Sequence, residues 1–133
     1  GGINRMEVAG RGGTRRARIE MSRNSNDYLK KVAEPFLDWG LDTVSLITLI
    51  RRNMNTANLI GSGGIRNGLD VAKCLILGCD LAAVAQPFLS PARKSSEAVI
   101  EAVSVYTEQL KWALFLTGSR NLIDLKKVKV YEK

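Results

Sequence analysis

The stretch Ile60-Gly-Ser-Gly-Gly-Ile-Arg-Asn-Gly68 holds the residues best suited to chemistry in this chain. It follows a short, mostly apolar run, Ala57 to Ile60, and precedes an amphipathic run, Leu69 to Leu77. It therefore reads as strand, glycine turn, helix. Without an intervening Cβ, backbone N–H groups approach a phosphate closely, and a helix N-terminus adds positive partial charge. Arg66 brings a full charge to the same place. The expectation is a phosphate site built from Gly63, Gly64, Ile65 and Arg66. The dinucleotide fingerprint is not met, because counting from Gly61 an arginine stands where the third glycine belongs. The nucleoside-triphosphate loop fails too, since Leu69 follows Gly68 where a lysine is required.

A second glycine turn, Gly10-Arg-Gly-Gly-Thr14, ends the mixed run Ile3 to Ala9, and Thr14 offers a hydroxyl to a polar ligand group. A third short apolar run, Leu81 to Ala85, ends in Gln86-Pro87. The backbone N–H groups of Ala85 and Gln86 are placed to complete a phosphate cradle with Gly64 and Arg66. Glycine turns after parallel strands gather on the sheet face where ligands bind.

Other chemistry is excluded or bland. The 133 residues contain no histidine. Ser-His-Asp and Cys-His catalysis are therefore absent from this chain, and no residue in it is assigned as catalytic. Cys74 and Cys79, spaced C-x4-C without histidine, are expected to be buried free thiols of a cytoplasmic protein, and no metal ligand is assigned. Trp39 and Trp112 are expected to be core or packing residues. The net charge of +7 is uneven: residues 1–23 carry six arginines against Glu7 and Glu20, whereas residues 24–119 are balanced at nine of each sign. Aromatic residues do not interleave with the basic runs, which argues against nucleic acid. No apolar run is long enough to span a membrane.

The elements that must position these turns alternate. Strands at Ile3 to Ala9, Ala57 to Ile60 and Leu81 to Ala85 are separated or followed by helices at Thr43 to Arg52, Leu69 to Leu77 and Ser96 to Thr117, and Leu122 to Lys133 is a basic tail with some helical pattern. Asn67 is a candidate N-cap and Gly78 the expected stop of the middle helix. Along the long helix Val99, Val103, Tyr106, Leu110 and Leu114 recur at three and four. The pattern is α/β with a parallel sheet. Three strands leave an open edge, so the chain is expected to be a fragment or to need a partner.

Taken in order, Val8-Ala-Gly-Arg-Gly-Gly-Thr14, Asp38-Trp-Gly40, Gly61-Ser-Gly-Gly-Ile-Arg-Asn-Gly-Leu-Asp-Val-Ala-Lys73, Leu77-Gly-Cys-Asp-Leu81, Ala85-Gln-Pro-Phe-Leu89 and Phe115-Leu-Thr-Gly118 resemble the C-terminal part of type 2 isopentenyl-diphosphate isomerase. The resemblance implies that residues 1–133 are about three β/α units, strands six to eight, of one FMN-binding (β/α)8 TIM barrel. It implies FMN as cofactor, NAD(P)H as reductant and Mg²⁺ on the substrate diphosphate, with isopentenyl and dimethylallyl diphosphate interconverted without net redox change. Gly63, Gly64, Ile65 and Arg66 would hold the FMN phosphate, Ala85 and Gln86 would complete the cradle, and Thr14 would contact the flavin. The catalytic and metal-binding groups would lie in the missing N-terminal part of the barrel, and the whole protein would form a homo-oligomer. The sequence departs from the family where Gln86 replaces a frequent glycine and Arg15-Arg16 an Asn-Trp pair. The Gly-Gly-Ile-Arg turn also occurs in FMN barrels of the hydroxy-acid oxidase and IMP dehydrogenase types, but their catalytic histidine and loop cysteine have no counterpart here. A non-enzymatic phosphate- or nucleic-acid-binding module is the remaining alternative.

Overall fold

In a computed structural model of the chain, which describes residues 4–12, 16–23 and 25–130, three parallel strands form one sheet. They are β1 (Arg5–Ala9), β2 (Asn58–Ser62) and β3 (Leu81–Ala82), with β2 in the centre. The register sets Val8 against Gly61 and Ala9 against Ser62, so the two glycine turns leave the sheet side by side. Ile60 and Gly61 face Leu81 and Ala82.

β3 is shorter than the expected run to Ala85. After Ala82 the chain leaves the ladder, and a helix starts at Gln86. Asp80 lengthens this short pairing from the side. Its N–H donates to the Leu59 carbonyl (2.8 Å), and its carboxylate accepts the Leu59 N–H (3.0 Å).

Seven α-helices and a 3-10 turn (Glu34–Phe36) are described around the sheet: α1 (Arg16–Arg23), α2 (Asp27–Ala33), α3 (Thr43–Asn53), α4 (Gly68–Ile76), α5 (Gln86–Lys94), α6 (Ser96–Leu116) and α7 (Leu122–Leu125). The expected α3, α4 and α6 are present. Asp42 caps α3 by accepting the Ser45 N–H, and Asn67 caps α4 by accepting the Asp70 N–H. Gly78 ends α4 at φ 106°, a conformation that favours glycine. Among its described residues the basic tail contributes the single turn α7. Helices α1, α2 and α5 lie where no helix was expected. α1 has no apolar stripe for a periodicity reading to find. α5 carries Pro87 in its first turn, where no donor is lost, and Pro91 inside.

Two apolar clusters fill the space around the sheet. Val8, Ile47, Ala57, Leu59, Ile65, Cys74 and Cys79 pack beneath the turns, between the sheet and α3 and α4. Ala72, Leu75, Ala113 and Leu125 join α4 to α6 and α7. Val99, Tyr106, Leu110 and Leu114 of the expected α6 stripe are half-buried, but Val103 is exposed. Leu69, expected on the packed face of α4, is also exposed. Trp39 and Trp112 correct the sequence reading: they are 77% and 66% exposed. Trp112 belongs to the outer face of α6 with Phe115 and Leu116, which no described element covers.

Candidate functional site

The two glycine turns interlock. A Cβ on Gly63 would meet the Gly10 carbonyl oxygen at 2.5 Å, and one on Gly64 would collide with the Gly12 carbonyl. Gly63 and Gly64 also sit at φ 82° and 89°, which side-chain-bearing residues rarely adopt. Gly12 in turn leaves no room for a Cβ beside the Gly63 oxygen, at 2.9 Å. The glycines are thus required first by backbone-to-backbone packing, and that packing fixes the shape of the turns.

Thr43, the first residue of α3, pins the Gly61–Gly64 turn from below. Its Oγ1 donates to the Gly63 carbonyl (2.6 Å) and lies 3.3 Å from the Ser62 carbonyl. The turn at Gly10–Gly12 is held from the other side. The Arg11 N–H donates to the Leu41 carbonyl (2.8 Å), and its guanidinium donates to the Asp38 carbonyl (2.7 Å).

Above the turns lies a cavity of about 920 Å³, into which Gly63, Gly64, Ile65, Arg66, Ala85 and Gln86 all converge. The six described residues of the sequence-derived site therefore share one space. Thr14 lies outside the described residues. Ile65 lines the cavity and also belongs to the buried cluster.

The donor inventory refines the expectation. At the start of α4 three N–H groups are occupied by protein acceptors. Arg66 N–H donates to the Asp70 carboxylate (3.1 Å), Gly68 N–H to Gln109 Oε1 (2.7 Å) and Asp70 N–H to Asn67 Oδ1 (2.8 Å). The α4 terminus supplies shape, with few open donors. Among the described residues, no acceptor meets the N–H groups of Gly64, Ile65 or Gln86. The Gln86 N–H begins α5, whose N-cap Ala85 offers no capping side chain. Nor does the Arg66 guanidinium have a described partner. Unpaired donors beside a free guanidinium suit an acceptor-rich dianion, and a phosphate monoester is such a group.

Three residues that shape this site escaped the sequence reading. Thr43 and Asp70 act on the turn backbone; the Asx signals at Asp42 and Asn67 locate their helix starts but not what they hold. Phe36, which lines the far wall with Trp39 at a ring separation of 6.0 Å, carries no sequence signal at all. The described residues contain no cluster of three or more His, Cys, Asp or Glu side chains.

The chain is 40% identical over 126 residues to the isopentenyl-diphosphate delta-isomerase of Methanocaldococcus jannaschii, covering 95% of this chain and 35% of that protein. It is 46% identical over 131 residues to the isopentenyl-diphosphate delta-isomerase of Paracoccus zeaxanthinifaciens, covering 94% of this chain and 37% of that protein. The chain thus spans little more than a third of the length of these curated relatives. The sequence pattern of the FMN-dependent dehydrogenase family matches residues 36–132, which include β2, β3 and the Gly63–Arg66 turn between β2 and α4. The chain therefore belongs to the FMN-dependent dehydrogenase family.

Proposed function

We propose that this chain is the phosphate-holding end of an FMN-dependent β/α barrel that interconverts isopentenyl and dimethylallyl diphosphate. The names of its relatives support the reaction, and the parallel sheet with its alternating helices fits a barrel segment. β1, β2 and β3 would be strands six, seven and eight of one barrel domain. One observation carries the cofactor role: two separate strand-end segments, Gly63–Arg66 and Ala85–Gln86, present to one cavity N–H groups and a guanidinium that have no partner among the described residues.

In this reading Arg66 neutralises the FMN phosphate while Gly64, Ile65 and Gln86 donate N–H groups to its oxygens. Thr43 and the interlocked glycines hold those donors in place before the ligand arrives, which lowers the ordering cost of binding. Thr14 would contact the flavin. Bound reduced FMN supplies proton-transfer chemistry at the substrate double bond, with NAD(P)H as reductant. The groups that hold Mg²⁺ and the diphosphate would lie in the rest of the barrel, in a homo-oligomeric cytoplasmic protein. No described helix is long and apolar enough to cross a membrane. A hydroxy-acid oxidase reading fails on its base, because the sequence contains no histidine.

The test is flavin binding by the whole protein, followed by fluorescence, with FMN against riboflavin. FMN should bind more tightly than riboflavin. Arg66→Ala removes a charge-assisted contact of about 1.5–3 kcal/mol, so FMN affinity should fall roughly 10- to 150-fold, with riboflavin affinity unchanged. Equal affinity for the two flavins in the unsubstituted protein would refute the cradle. Loss of isomerisation without loss of FMN binding in Arg66→Ala would refute its role but spare the fold.

A further inference from the structure

Beneath the cradle lie two nucleophilic side chains that the flavin reading does not use. Cys74 is on the last turn of α4 and Cys79 stands just before β3, and both are free, at 3% and 0% exposure. The Cys79 N–H donates to the Cys74 carbonyl at 3.0 Å across the glycine stop at Gly78. That bond closes the helix and brings the two residues face to face. Their sulfurs meet over Gly61, the residue of β2 that has no side chain. A Cβ placed there would lie 2.9 Å from Cys79 Sγ and 3.0 Å from Cys74 Sγ. The space that any other residue would fill in the central strand is therefore occupied by a pair of thiols. The contact with Cys74, together with burial, pushes the Cys79 thiol up.

From this arrangement we propose that Cys74 and Cys79 are an oxidation site that closes to an intrachain disulfide. The ends are already fixed by the backbone bond, so closure needs side-chain rotation and little backbone movement. The oxidant is a small hydroperoxide. The Cys74 thiolate attacks the terminal peroxide oxygen, the O–O bond breaks, and the sulfur becomes a sulfenic acid as the hydroperoxide leaves as its alcohol, or as water from hydrogen peroxide. Cys79 then attacks that sulfur. The S–S bond forms, the S–OH bond breaks, and water leaves with the Cys79 proton. Two thiols are oxidised by two electrons, and one peroxide is reduced. The reaction fastens the end of α4 to the start of β3, directly under the strand that carries the Gly63–Arg66 turn.

Both cysteines fall on one tryptic peptide, residues 74–93, between Lys73 and Arg93. The native whole protein is treated with hydrogen peroxide at levels that leave its far-ultraviolet circular dichroism unchanged. It is then denatured, alkylated with iodoacetamide, digested and weighed. The expected peptide has lost two hydrogens and carries no alkyl group, and reduction restores two alkylatable thiols. In Cys74→Ala the partner Cys79 should be recovered alkylated or oxygenated, never linked within the peptide. Cys79→Ala should behave symmetrically, which guards against one variant failing to fold. Recovery of two alkylated thiols, of sulfinic or sulfonic acids without a disulfide, or of cross-linked chains on a non-reducing gel would overturn the proposal.

Discussion

Replacing Asp80 tests how the short third strand is held. Asp80 makes four ties at the end of the sheet away from the cavity. Its N–H and carboxylate pair with both backbone groups of Leu59, Lys126 Nζ donates to Oδ1 at 2.9 Å, and Arg51 lies 3.4 Å from Oδ2. In Asp80→Ala the Leu59 N–H, on a residue with 0% exposure, loses this acceptor. A buried donor stranded in this way costs about 1–3 kcal/mol. The two ion pairs are partly solvated, with the Asp80 side chain 40% exposed, and each adds only about 0.2–1 kcal/mol. Arg51 keeps the carbonyls of Asn55 (3.0 Å) and Ala57 (2.9 Å), so its contribution sits at the low end. The expected loss is about 2–4 kcal/mol for Asp80→Ala. Asp80→Asn keeps an oxygen for Leu59 and should lose only about 1 kcal/mol.

Urea unfolding of the whole protein at neutral pH, with both variants, reads this difference. The pH dependence gives a second reading. The Lys126 ammonium, then the Leu59 N–H, hold the Asp80 carboxyl below its usual value. The unfolded state therefore takes up the proton first. The stabilisation is complete above the unfolded value of about 3.9 and is lost as pH falls through the lower folded value. The gap between the unsubstituted protein and Asp80→Asn should narrow below about pH 4. Equal stability of the two variants, or a gap that widens in acid, would refute the argument.

The turns themselves invite two further substitutions. Gly64→Ala places a side chain at φ 89° against the Gly12 carbonyl, and backbone strain plus overpacking should cost about 2–5 kcal/mol in urea unfolding; a neutral result would show that the interlock yields freely. Thr43→Val keeps shape but leaves the Gly63 carbonyl without its 2.6 Å donor. The change should cost about 1 kcal/mol of stability and weaken FMN a few-fold more than riboflavin in paired titrations. An equal effect on both flavins would mean that Thr43 does not set the phosphate donors.

The local code carried far. Glycines at strand ends, an Asx cap three residues before the N–H it accepts and a glycine stop are short-range signals, and β2, α4 and the turn between them follow from those alone. The buried thiols and the parallel order were legible for the same reason. α5 was hidden because Pro91 masks a helix that Pro87 at its first turn could have announced.

What the sequence determined by itself is the kind of site: glycines where backbone must come close, and an arginine beside them for an anion. What only the tertiary structure decided is which donors are open. Asp70, Gln109 and Asn67 occupy three N–H groups at the start of α4, while those of Gly64, Ile65 and Gln86 meet no acceptor among the described residues. Gln109 lies 41 residues from Gly68, and Thr43 lies 20 residues from Gly63. Hydrogen bonds over such separations depend on how helices pack, and a backbone N–H carries no mark in the sequence of the acceptor it will meet.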